Sequence, residues 1–448
     1  MTTSRLPLTV FEELLFWENR PAYPCSCFAR LQLSGRIDHE AFQAAVKAVM
    51  PRHPLLASRV EARGRRLIWK QEPDALPEIR WLSGPTGGSL PATTYQDLRD
   101  EIGLRLLVVE NGNSCDVTAQ FNHACCDGVG IQALLSDILV AYALAKGARS
   151  DRLRLPNLEP GRLARRGAYG LSFMKLAGLL PRQIIGLPGA AHFFARSPSP
   201  LLPYHAPNDD DPTPEGYPAT RMHVFSQDET ASLNNAAGRL DVTVNDLLAR
   251  DLYLALGKWR ARQGAGNDDE WLRVMIPTNL RSTQDKVLPA ANMVGAIFLD
   301  RSGRDIGNAR QLLAGIAREL QLIRENRLGL VFIYALHVLG VFPGGLRSIA
   351  RRRTCRTSSI FSNLGRPLLR CPLPRERGLL VAGDLVLQGT DGAVPLPPFV
   401  CTTVTVMEYA RRLSMTLHYD PRCVTPSQAE DLCAALVHRV RATAERPA

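Results

Sequence analysis

His123-Ala124-Cys125-Cys126-Asp127-Gly128 reads H-x-x-x-D-G, a histidine four residues ahead of an aspartate–glycine pair. Before it, Cys115 to Asn122 alternates Asp116, Thr118, Gln120 and Asn122 with Val117, Ala119 and Phe121, the pattern of a half-buried strand. After it, Val129 to Lys146 sets Ile131, Leu134, Leu135, Ile138, Leu139 and Tyr142 at helical spacing. A strand exit that meets a helix entrance can aim one imidazole at a buried reaction centre, so the stretch places His123 at a strand end.

An imidazole titrates near neutrality, so a desolvated neutral one can take the proton of a hydroxyl or amine as it attacks an acyl carbon. His123 is therefore the candidate general base. Neither G-x-S-x-G nor H-E-x-x-H occurs in the chain, and no nucleophile or metal accompanies the histidine at a recognisable spacing. Direct acyl transfer fits better than a covalent intermediate. Asp127 reads as architectural, its carboxylate pairing with a distant arginine to lock a turn that Gly128 would ease. The plainer alternative is a satisfied histidine beside an ordinary Asp-Gly turn.

Further segments follow in order. The Asp38 to Met50 helix runs into Arg52-His53-Pro54-Leu55-Leu56-Ala57-Ser58-Arg59-Val60, and Val242-Thr243-Val244-Asn245-Asp246-Leu247-Leu248 opens a second long helix. Pro277-Thr278-Asn279-Leu280-Arg281 precedes Asn292-Met293-Val294-Gly295, and Phe361-Ser362-Asn363-Leu364-Gly365 comes later. With the motif, these blocks resemble the superfamily of chloramphenicol acetyltransferase, condensation domains of nonribosomal peptide synthetases, BAHD plant acyltransferases and alcohol acetyltransferases. The likeness spans nearly the whole chain and is nearest to stand-alone members of the alcohol acetyltransferase type.

The resemblance implies an α/β fold of two chloramphenicol acetyltransferase-like lobes, each a mixed β-sheet covered by helices, with an active-site tunnel between them. By the same resemblance His123 matches the catalytic histidine, Asp127 the aspartate that salt-bridges an arginine, and Gly128 the turn glycine. Arg281 is the candidate for that arginine. Two departures stand out. Asn122 occupies the place where peptide-forming condensation domains have a first histidine, and the D-F-G-W-G stretch of BAHD enzymes is missing. Both point away from those branches, whereas acetyltransferase branches work with the second histidine alone. Thr278, Asn279, Ser362 and Asn363, together with Asn122, are candidate oxyanion or substrate contacts. Asn279 and Asn363, taken singly, more simply hold turns through bonds to backbone.

Composition agrees with a large enzyme: 448 residues, 45% hydrophobic and 22% charged, can bury a substantial core and divide into lobes. The expected division is an N-terminal lobe at 1–154, a Pro-rich crossover linker at 155–218 and a C-terminal lobe at 219–448. Ten cysteines and nine histidines are scattered without a C-x-x-C pair, so no metal site is expected. The first residues carry no secretory signal, which points to a reducing cytoplasm. Cys125 and Cys126 read as small residues filling a turn, with a redox gate as the alternative.

The net charge of +11 forms only one tight run, Arg351-Arg352-Arg353, with few aromatics, which argues against nucleic acid. Attraction of a phosphate-bearing co-substrate is a better use for it, either acyl-CoA or the phosphopantetheine thioester of an acyl carrier protein. No permanently bound cofactor is expected, and the second substrate is a small acyl acceptor. The apolar stretches Leu171 to Phe194 and Leu328 to Phe342 read as helices packed on the lobes, with peripheral membrane contact as the alternative. A non-catalytic module that recruits a carrier protein is the competing functional class.

Overall fold

The computed structural model describes residues 5–72, 74–148, 153–169, 184–186, 189, 192–193 and 195–445. In the first half, β1 (Arg5–Pro7) leads to α1 (Val10–Glu18), β2 (Ser26–Ser34) and α2 (His39–Val49). Then come β3 (Ser58–Arg63), β4 (Arg66–Gln71), β5 (Ile79–Ser83), β6 (Leu104–Asn111), β7 (Ser114–Asn122) and α3 (Gly128–Ala145). In the second half, β8 (Ala219–Val224) precedes α4 (Gln227–Arg239), α5 (Val244–Arg262), β9 (Trp271–Asn279), β10 (Val294–Ser302), α6 (Ala309–Asn326), α7 (Gly329–Val341) and α8 (Gly345–Ala350). It closes with β11 (Ser359–Asn363), β12 (Arg375–Glu376), β13 (Leu379–Ala382), β14 (Leu385–Ala393), β15 (Thr402–Tyr409), β16 (Arg412–Tyr419) and α9 (Pro426–Glu445).

Helix starts follow from side-chain caps. Asp38 caps α2 by accepting from Ala41 N, and Thr243 with Asp246 forms a capping box that starts α5. The strands assemble into a seven-stranded sheet ordered β12-β13-β14-β2-β7-β6-β5 and a six-stranded sheet ordered β10-β9-β11-β15-β16-β8. Both are mixed: β5 runs parallel to β6, and β11 runs parallel to β9 and β15, while the remaining pairs are antiparallel. A small sheet, β1-β4-β3, flanks the first. The architecture is two mixed sheets covered by helices, each with its own apolar core.

The division drawn at residue 219 does not hold for the sheets. Strands β12 to β14 belong to the second half of the chain, yet they extend the first sheet through β14 on β2. Their attachment is both polar and steric. Arg30 and Asp391 face each other across the register, buried, with Arg30 Nε 2.8 Å from one carboxylate oxygen. A Cβ at Gly392 would lie 2.1 Å from the Phe28 carbonyl oxygen, so only glycine allows this approach. The linker is likewise tied to the first lobe: Arg166 pairs with Glu12 of α1, which also accepts from Trp69 Nε1 at 3.0 Å.

Strand β7 is buried on both faces rather than half-buried. Residues 87–94 cover its polar side, with Gly87 N donating to Asp116 at 2.7 Å and the Gln120 amide donating to the Thr94 carbonyl at 2.6 Å. The apolar stretch from Leu171 to Phe194 falls for the most part outside the described residues. The stretch from Leu328 forms α7, which buries Leu330, Ile333 and Leu336 and leaves its other face open.

Gly392→Ala should lower stability by about 1–3 kcal/mol, the usual cost of forcing a methyl into a packed contact. Gly161→Ala, where nothing lies within 4 Å, serves as the control. Equal thermal midpoints for the two variants would contradict the close approach of β14 to β2.

Candidate active site

His123 follows β7 directly, and its backbone fixes the turn from both lobes. Its N–H donates to the Cys25 carbonyl of the first lobe at 2.7 Å, and its carbonyl accepts from Asn292 Nδ2 of the second at 2.6 Å. The imidazole packs edge-on to Phe11, ring centroids 6.4 Å apart, and its Nδ1 has no hydrogen-bond partner. Burial pulls the imidazole below its ordinary pKa, outweighing the opposing pull of the turn's backbone and of Asp127. The ring is therefore neutral at physiological pH.

Asp127 is the N-cap of α3, accepting from Gly130 N at 2.9 Å. Arg281 grips its carboxylate with both terminal nitrogens, at 2.7 and 2.9 Å, and Met293 N donates at 2.8 Å. Burial alone would raise this carboxyl, but Arg281 and the two backbone donors hold it below the ordinary range. Its oxygens are fully engaged, so it holds the lobes together and is not a partner for the imidazole.

The two glycines of this turn serve closeness rather than an unusual backbone angle. Gly128 does not adopt a positive φ; a Cβ there would sit 3.3 Å from Leu364 of the second lobe. At Gly130 a Cβ would come within 3.0 Å of the Ala291 backbone. Cys125 and Cys126 are fully buried, and burial pushes both thiols well up, which keeps them protonated and unreactive. They fill the turn.

A cavity of about 1790 Å³ runs between the sheets. His123, Asp127 and Gly128 line it together with Phe11, Cys27 and Phe28 of the first lobe and Met275, Thr278, Asn279, Arg281, Ser362 and Asn363 of the second. The structure thus gathers most of the residues singled out in the sequence around one space. They differ in what they offer. Thr278 Oγ1 is buried without a partner, and Ser362 sits on β11 facing the cavity. Asn279 accepts from Arg281 N at 3.1 Å, while Asn363 accepts from Gly365 N at 2.7 Å and donates to Asn245, so both hold turns.

Asn122 stands apart. It is fully buried, accepts from Ala124 N at 3.0 Å, and does not line the cavity, so it is not a substrate contact. Two other buried histidines are also walled off. His53 accepts from Ala290 N at 3.0 Å and meets Asp137 at 3.3 Å, and His418 bonds Thr405 Oγ1 at 2.9 Å. Burial lowers His418 to about 3. Sequence reasoning assigned no role to the Asn292 side chain, the Ala291 carbonyl or the Met293 N–H as supports of the turn, because backbone partners carry no residue signature and one amide in a quoted block does not announce its partner. Among the described residues, no group of three or more metal-ligating side chains comes together.

Asp127→Ala would strand the largely buried Arg281 charge, a loss of about 3–5 kcal/mol. Asp127→Asn should recover only part of it. Thermal melting of the two variants checks the ranking, and a wild-type midpoint for Asp127→Ala would refute this role. Asp127 has a folded pKa below its unfolded one, so its contribution is present at neutral pH and fades in acid as the carboxylate protonates.

No family model and no curated protein matches the chain. Its fold, by contrast, is similar to several solved structures at low identity. The first condensation domain of the CDA synthetase is 13% identical, with a TM-score of 0.72 over 99% of this chain and 97% of that one. The TRI3 trichothecene 15-O-acetyltransferase from Fusarium sporotrichioides is 12% identical, with a TM-score of 0.67 over 98% and 95%. The starter condensation domain of rhizomide synthetase, solved with C8-CoA and Leu-SNAC, is 14% identical, with a TM-score of 0.67 over 99% and 95%. The chain therefore has the two-lobed fold shared by condensation domains and the chloramphenicol acetyltransferase-like trichothecene acetyltransferase.

Proposed function

We propose that the protein transfers an acyl group from a thioester, carried on coenzyme A or on the phosphopantetheine arm of a carrier protein, to a hydroxyl or amine of a small acceptor. One observation carries the reading: a partly exposed imidazole, kept neutral by desolvation, lines a cavity built from both lobes. At about 1790 Å³ that cavity exceeds the roughly 300–1,000 Å³ of ordinary single-ligand pockets, which leaves room for donor and acceptor together. The similar folds that act as an O-acetyltransferase or were solved with an acyl-CoA support the same class of chemistry.

His123 accepts the acceptor's proton as its oxygen or nitrogen attacks the thioester carbonyl, and the carbonyl π pair moves onto oxygen. When the tetrahedral intermediate collapses, the C–S bond breaks and the thiolate leaves with the proton that His123 returns. The reaction needs a donor at the oxyanion, and Thr278 is our assignment because its buried hydroxyl has no other partner. Ser362 is assigned to substrate contact. With all ten cysteines present as free thiols, a reducing cytoplasmic setting suits the enzyme. The loss of a first histidine at Asn122 does not favour a non-catalytic module, since that side chain turns toward the Ala124 backbone instead of the cavity.

Incubation with a panel of acyl thioesters should release free thiol only when an alcohol or amine acceptor is present. His123→Ala should lower that release by about 10²–10⁴-fold with the melting curve retained. Undiminished release by the variant would reject the mechanism, and carrier-protein binding with no release by the wild type would favour the recruitment module. Thr278→Val, nearly isosteric, should lower kcat by about 10²–10³-fold with little change in KM if its hydroxyl meets the oxyanion. Because the neutral imidazole is the active form and its pKa lies below the ordinary 6.5, kcat/KM should rise with pH to a plateau already reached at neutrality. A midpoint above 6.5 would count against His123 as the base.

A further inference from the structure

The cavity reaches the surface beside α7, where the molecule is least like a water-facing protein. Val341 is 78% exposed, Val338 62% and Phe342 61%, the three highest values for large apolar side chains among the described residues. All three fall within five consecutive positions. With exposed Ala335 they recur at helical spacing and form one continuous face. The opposite face is anchored: Leu330, Ile333 and Leu336 are buried, and Gly329 abuts Gly295, where a Cβ would meet the Gly329 carbonyl at 2.5 Å. The helix cannot turn its apolar face inward.

The chain that runs from α7 onward is positively charged, although the acidic segment Asp209–Asp211 lies beside Arg351 and Arg353. Residues 327–375 contain nine arginines and no aspartate or glutamate. Arg347, Arg352 and Arg353 are exposed just past the apolar face, whereas Arg351 is neutralised by Asp209 at 2.6 Å. Arg347 is held in place over the Trp17 ring, 5.0 Å from its centroid. An apolar face bordered by fixed arginines is complementary to a layer of anionic headgroups over acyl chains. The 13 residues of α7 span about 20 Å, short of the roughly 30 Å hydrocarbon core, so the geometry is that of an element lying on a bilayer.

We propose that the α7 face and the arginines that follow it dock the protein on the surface of an anionic phospholipid membrane. Val338 and Leu339 also line the cavity, as does Leu322 of α6, itself 41% exposed. A docked molecule thus opens its cavity against the bilayer, and an apolar acyl chain or acceptor passes from lipid to His123 without crossing water. This entry route rests on the acyl-transfer reading; the docking does not.

Vesicle co-sedimentation of the full chain tests the proposal. The protein should pellet with phosphatidylcholine vesicles containing phosphatidylglycerol, and far less with phosphatidylcholine alone. Val341→Glu combined with Phe342→Glu should weaken binding more than about tenfold. Arg347→Ala and Arg353→Ala should each weaken it about fivefold, with the effect shrinking at high salt. Neither Val341 nor Phe342 lines the cavity, so turnover of a short soluble thioester stays unchanged in that variant, which separates loss of docking from loss of the catalytic reading. Wild-type protein that stays in the supernatant, variants that pellet undiminished, or equal binding to both vesicles would each overturn it. So would a dimer that the Glu substitutions dissociate, since a second copy would then cover the face.

Discussion

The Asp127–Arg281 ion pair is the constraint on which the rest of the site depends. It spans the two lobes, and it is made just four residues beyond His123, at the first residue before α3. Because Met293 N and Gly130 N fill the remaining capacity of the carboxylate, the pair is locked in direction as well as in distance. A buried ion pair is a poor source of net stability but a good source of registry. Here the register it sets is that of a strand end, a helix start and the 291–293 segment. The imidazole takes its position from that arrangement, through backbone bonds at both its N–H and its carbonyl.

Close packing does the complementary work. Gly130, Gly295 and Gly392 mark three approaches too tight for a Cβ: α3 on the 291 backbone, β10 on α7, and β14 on β2. Each brings second-half chain against a neighbour that shapes the cavity. The returning strands β12 to β14 make the first lobe incomplete without residues 375–393, so the cavity walls cannot separate into two independent folding units at a single point in the chain. Packing of the two lobes around the imidazole strips it of part of its hydration, and that desolvation lowers its pKa.

Local periodicity made the strand, the helix and His123 at their junction legible. Arg281 was legible only through resemblance, since nothing in its neighbourhood marks it as the partner of a carboxylate 154 residues away. Strand β14 escaped because Gly389 and Gly392 break its alternation, and Gly392 is required by the crowding against the β2 backbone. Asn122 and Thr278 illustrate the opposite limit: both are polar residues at strand ends, and only the tertiary structure separates an amide that holds a turn from a hydroxyl left unpaired beside Gly329.

The sequence by itself determined the motif's placement and the chemistry open to a lone imidazole, because these follow from short-range spacing and residue type, whereas the two mixed layers were legible through the family resemblance. Tertiary structure decided that His123 meets the cavity while His53 and His418 are buried away from it, which residues share that cavity, and that the α7 face is exposed. Those outcomes depend on desolvation and close approach between segments far apart in the chain, and neither quantity is encoded in any window of neighbouring residues.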